Sequence, residues 1–142
     1  MGIRSLVVAL ALAVPVAARA ELGGPSSSVG KEAEELGATL ERRHQDQQLT
    51  WPGGTIHQYA DDTGTIYAVT WRGRAAPNLE RLLGPHFARF VEASKPSARS
   101  HRVFKVELPD LVVRSAVHGR LHQGRAFLPK AVPADVSVEE LP

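Results

Sequence analysis

The chain contains no cysteine. That absence excludes disulfide bridges, a thiol nucleophile and any zinc site built on thiolates. Small exported domains often supplement a thin core with disulfides, so this fold must rest on packing, on a partner or on self-association. Beyond residue 20, no apolar run approaches the roughly 20 residues a membrane-spanning helix needs. There is no Gly-x-Ser-x-Gly elbow, and Gly53-Gly54 lacks the following helix and lysine of a phosphate-cradling loop. Internal repeats and low-complexity tracts are also missing.

What is present starts with a leader. Met1 to Arg4 carries one positive charge, Ser5 to Ala17 is apolar, and Ala18-Arg19-Ala20 has small residues at the −3 and −1 positions of a cleavage site. This is the three-part plan of a secretory signal peptide. Residues 1–20 are therefore expected to be removed, leaving one mature domain over 21–142, located in the periplasm or secreted. The full chain has 17 Lys+Arg and 15 Asp+Glu; losing Arg4 and Arg19 with the leader leaves 15 of each. A balanced, exported chain lacks the electrostatic footprint of a nucleic-acid binder. The charge is nevertheless segregated. Residues 21–62 hold three basic and eight acidic side chains, whereas residues 63–130 hold twelve basic and four acidic ones. A basic face of this kind meets an anionic partner, or else pairs with the acidic N-terminal half.

The expected fold class is α+β. Residues 21–28, "ELGGPSSS", read as a loose polar lead, and a short helix follows through "VGKEAEELG". "QDQQLTW", "TIHQYA" and "TIYAVTW" read as successive strands of a meander, the last of them central because both its faces are apolar. In that strand Tyr67, Val69 and Trp71 fall on one face and Ile66, Ala68 and Thr70 on the other. The steps between Leu79, Leu82, Leu83, Phe87, Phe90 and Val91 predict a long amphipathic helix capped by Asn78. Gly84-Pro85 falls inside it, so a kink or two abutting helices are expected. "RVFKVEL" alternates like a strand, and "LVVRSAV" with "RLHQGRAFL" forms a late hairpin around His118-Gly119. Residues 129–142 form a proline-rich tail. The whole predicts an antiparallel sheet with the long helix on one face.

Three constellations carry candidate chemistry. Asp62-Thr63-Gly64 spells the loop that holds the catalytic carboxylate of a dimeric aspartic-type hydrolase, where two acids share one proton. "DDTG" between two strand-like runs is equally a hairpin turn, with Asp61 or Asp62 bonding the backbone two residues on. His118 and His122 have the i, i+4 spacing of a helical zinc pair, but on a strand that spacing spans about 13 Å, too far for one ion. No metal and no cofactor is assigned. Arg72, Arg74, Arg114, Arg120 and Arg125 form the basic set, and a two-residue turn at 118–119 puts Arg114 and Arg125 on one face. Guanidinium groups so placed bind carboxylates or phosphates bidentately.

The blocks "TGTIYAVTWRG", "PNLERLLGPHFARF" and "LVVRSAVHGRLHQGRAFLPKAVPADVS", in this order, resemble the exported bacterial family catalogued as domain of unknown function 2844. The resemblance covers most of the mature chain and implies a small, signal-bearing protein of Gram-negative envelopes. It implies no catalytic residue. The expected role is non-enzymatic: binding or assembly with an envelope component or another exported protein, without nucleic acid and without a membrane span after cleavage. Two other readings stay open, the aspartic-type hydrolase on Asp62 and a structural subunit that self-associates into homo-oligomers.

Overall fold

The computed structural model describes residues 21–26, the backbone of 39–42, and residues 46–94 and 103–141. The helix expected in "VGKEAEELG" and the leader lie outside them. Seven strands build one antiparallel sheet: β1 (Thr39–Arg42), β2 (Asp46–Trp51), β3 (Gly54–Ala60), β4 (Ile66–Gly73), β5 (Val103–Leu108), β6 (Leu111–His118) and β7 (Leu121–Phe127). Their order across the sheet is β1-β2-β3-β4-β7-β6-β5. Two meanders thus meet where β4 pairs with β7, and β4 is central as its two apolar faces require. The late hairpin is β6–β7, and β5 extends it to a three-stranded meander by pairing with β6 across the Pro109-Asp110 turn. The architecture is α+β.

The helical segment sits on one face and breaks where proline predicts. Asn78 Oδ1 accepts a bond from the Arg81 amide at 3.1 Å and caps α1 (Leu79–Leu83). Gly84, at φ 51°, ends it, a 3-10 turn carries Pro85, and α2 (Phe87–Ser94) continues. Leu82, Leu83 and Phe90 pack with Leu49, Ile56, Ile66, Val69, Trp71, Val106, Leu111, Val113 and Ala126. Phe90 meets Phe104 edge-on at 5.3 Å. Val91, assigned to the same stripe, is instead 38% exposed. Arg89 on α2 pairs with Asp110 in the β5–β6 turn, with one bond of 2.6 Å, and pins the helix to the sheet. Among the described residues no helix is long and apolar enough to cross a membrane.

Strict alternation fails in β4. Tyr59 pairs with Ala68 and Ala60 with Ile66, so Tyr67 has no opposite number on β3. Two residues facing one make a β-bulge, which reverses the facing of everything beyond it. Ile66 therefore joins Val69 and Trp71 under the helices, while Tyr67 and Ala68 turn to the other face with Tyr59. There the proline-rich tail covers them, with Ala131, Val132, Val136 and Leu141 packing against this second cluster.

The lead is not loose over its described part. Leu22 is 1% exposed. Its amide donates to the Leu82 carbonyl at 2.8 Å, and Gly23 and Gly24 exchange backbone bonds with Ile66. Polar composition predicted fraying, but a single leucine and an added bridge at Pro25–Thr65 overrule it.

Candidate functional site

The sheet face opposite the helices is only partly covered by the tail, and the remainder forms a cavity of about 720 Å³. Register explains its lining. Pairing places Gln48, His57, Thr70, Arg125, Arg114 and Lys105 side by side on successive strands. The next row on the same face is Thr50, Thr55, Arg72, Gln123, Ala116 and Val103. Most of both rows lines the cavity. Three cations thus occupy neighbouring positions in one row, with Arg72 one row away.

Arg114 lies directly opposite Arg125. The β6–β7 turn is Gly119-Arg120, since His118 pairs with Leu121. It stands one residue beyond the expected 118–119, and Gly119 takes φ 63° in its first central position, as a II′ turn requires. That shift brings the two arginines onto one rung rather than merely one face. Like charges so placed repel unless anions intervene. Glu139 intervenes: its carboxylate accepts from Arg114 Nη1 at 2.6 Å and lies 3.6 Å from Arg125 Nη1. Arg125 also donates to the Val138 carbonyl at 2.5 Å. Glu107 meets Lys105 at 2.9 Å and Arg114 Nη2 at 3.0 Å. Bonds from Lys105 and then Arg114 hold the Glu107 carboxyl below its ordinary pKa. The Arg114 guanidinium is correspondingly held above its own, through Glu107 and Glu139.

Some polar capacity in the cavity is unused. Arg114 Nε is withdrawn from solvent without a hydrogen-bond partner among the described residues. Arg72 has no ion-pair partner among them either. At the β2–β3 end, His57 Nδ1 lies 3.1 Å from Asp46 Oδ1, and its ring stacks on Tyr59 at 6.2 Å. Burial, then the Asp46 charge, pushes the Tyr59 phenol up to about 12, so it stays neutral.

Of the basic set, Arg72, Arg114 and Arg125 line the cavity and Arg74 and Arg120 do not. Arg120 is at the exposed tip of the β6–β7 turn, and Arg74 follows β4, where its amide donates to the Gly53 carbonyl. His118 and His122 occupy alternate faces of the β6–β7 hairpin, because His122 pairs with Val117 and His118 with Leu121. In "DDTG" the turn-building carboxylate is Asp61. Its Oδ1 accepts from the Thr63 and Thr65 amides at 2.9 and 3.0 Å and from the Thr63 hydroxyl at 2.6 Å. Gly64 takes φ 81°. Asp62 is exposed at the tip.

Lys105, His57, Gln48 and Glu139 were not singled out from the sequence. The alternation of "VFKVEL" sets Lys105 on the face of Val103 and Glu107, but only cross-strand register aligns it with Arg114. No curated protein and no solved structure matches the chain. The family described as Protein of unknown function (DUF2844) matches residues 18–141, nearly the whole sequence, and the chain belongs to that family.

Proposed function

We propose that this chain is an exported, non-enzymatic binding protein of the cell envelope that holds acidic groups of a partner on its open sheet face. One observation carries the reading: Lys105, Arg114 and Arg125 stand side by side across three strands in a cavity of about 720 Å³. That volume falls within the range of ligand clefts. Guanidinium forks suit carboxylate or phosphate oxygens. Three cations on one sheet face repel; Glu107 and the exposed Glu139 offset only two of the three charges, so an anionic ligand is still favoured there.

Export rests on the leader. Leu22, two residues past the expected cleavage after Ala20, is buried against the body, so removal of residues 1–20 spares that anchor. Intact-mass measurement of the purified mature protein is expected to begin at Glu21. A hydrolase on Asp62 draws less support, since that carboxylate is exposed on a turn whereas a proton-sharing acid pair works in a secluded site.

The binding reading is tested by titrating the purified chain with polyglutamate, polyphosphate and an alginate oligosaccharide at low salt. Saturable binding to at least one, lost on Arg114→Gln with Arg125→Gln, is expected. Binding to none, or catalytic turnover abolished by a single substitution, would overturn it.

A further inference from the structure

Two of the cavity's arginines already hold a polypeptide, the chain's own tail, and the way they do so identifies a ligand class. The tail crosses the arginine rung as a 3-10 turn over Val138–Glu140, between Ser137 and Leu141 in extended conformation. Arg125 takes the main-chain carbonyl of Val138, and Arg114 takes the side-chain carboxylate of the next residue, Glu139. Behind them Val136 and Leu141 seat in the apolar cluster of Tyr59, Tyr67, Ala68 and Phe127. The contacts form a peptide signature: a backbone acceptor, an adjacent acid and flanking apolar anchors.

We infer that the groove binds an acidic peptide segment of another polypeptide, for which the chain's own Val138-Glu139 is an intramolecular stand-in. This rests on the anion-binding reading above and narrows it. A phosphate or sugar acid would satisfy the guanidinium groups, but only a peptide offers Arg125 a main-chain carbonyl and Arg114 a carboxylate on the next residue, as the tail does. Glutamine side chains suit main-chain N–H and C=O groups, and Gln48 and Gln123 line the cavity. The stand-in is exchangeable: Glu139 is 64% exposed, and ion pairs that open to solvent are weak. Arg72, one row from Arg125 and without an ion-pair partner among the described residues, extends the cationic track for a second acid.

The test uses the purified chain and a fluorescein-labelled peptide of sequence ADVSVEELP, read by polarisation. With Glu139→Gln the internal competitor is weakened, and the labelled peptide is expected to bind up to about fivefold tighter than to the unaltered chain. The same peptide with both glutamates changed to glutamine is expected to lose that affinity. Arg114→Gln with Arg125→Gln is expected to abolish binding while the far-ultraviolet circular dichroism and a cooperative melt are retained. Should the double variant not fold, Arg72→Gln in the Glu139→Gln background is expected to weaken the peptide severalfold, and an unchanged affinity there overturns the inference. A Glu139→Gln chain that binds polyphosphate or alginate oligosaccharide through Arg114 and Arg125, but not the peptide, overturns the peptide assignment and leaves the anion site standing. One that binds none of the three probes overturns both. Peptide affinity unaltered by the arginine substitutions overturns the inference as well.

Discussion

Arg114 faces Arg125 on the same rung of β6 and β7, and a single carboxylate, from Glu139, lies against both. Directly opposed like charges destabilise a strand pair, so the tail residue acts as an internal counterion. Its worth is limited because it is 64% exposed. Glu139→Gln is expected to lower unfolding free energy by about 1 kcal/mol at most. Adding Arg114→Gln should return part of that loss, since the repulsion goes with the charge. A double-mutant cycle by urea denaturation measures the coupling, which should shrink as salt rises.

Asp110 sets a second expectation, this one for pH. The hydrogen bonds from Arg89, and then its charge, lower the Asp110 carboxyl to about 2. A carboxylate whose folded pKa is depressed stabilises the fold above its unfolded pKa, near 3.9, and loses that contribution as pH falls through the folded value. Asp110→Asn should therefore melt earlier than the unaltered chain at pH 6. The gap should close between about pH 4 and about pH 2. Because the Asp61 and Glu107 carboxyls are also held low, only this difference between variants isolates the Asp110 share. Thermal melts across that range are the measurement.

The strands were legible because β-branched and aromatic residues cluster in "TIHQYA" and "TIYAVTW" and turn residues separate them. The helix break was legible because proline has one reading inside a helix. The site was legible only in part. Arg72, Arg114 and Arg125 could be grouped by charge, yet their alignment with Lys105 and His57 depends on pairings between strands far apart in sequence, which no local pattern encodes. The bulge at Tyr67 was hidden for the same reason, since it exists only relative to β3. Glu139 lay in a tail whose composition suggested nothing beyond a loop, and its role comes from the face on which that tail lands.

Gly124 tests how tightly the floor of the groove is built. A Cβ at this position would stand 2.4 Å from the Trp71 ring and 2.5 Å from the Arg114 carbonyl oxygen. The indole lies over the strand where a side chain would be, and the carbonyl cannot yield without moving β6. Gly124→Ala is expected to cost about 1–3 kcal/mol, the usual range for overpacking. The reduced chain entropy of the unfolded state returns only about 0.4–1 kcal/mol. The urea midpoint followed by tryptophan fluorescence should fall. The same displacement shifts Arg114, so affinity for acidic peptide should fall with it.

Asp61 and Asp62 are neighbours with separate expectations. Asp61 Oδ1 gathers two amides and a hydroxyl, and these bonds, the Thr63 hydroxyl first, hold its carboxyl below its ordinary pKa. Asp61→Ala removes all three acceptor contacts and leaves the turn to two backbone bonds of 2.9 Å, from the Gly64 amide to the Asp61 carbonyl and from the Asp61 amide to the Thr65 carbonyl. The β3–β4 hairpin should fray, with a lower melting temperature and faster amide exchange at Thr63 and Thr65. Asp61→Asn keeps an acceptor oxygen and should recover part of the loss. Asp62→Asn, at the exposed tip, should change the melt less than Asp61→Ala does. If Asp62 were instead the carboxylate of a hydrolase, Asp62→Asn would abolish peptide cleavage at acid pH while sparing the melt. Assaying both aspartates side by side for stability and for cleavage separates a turn that shapes the sheet from one that performs chemistry.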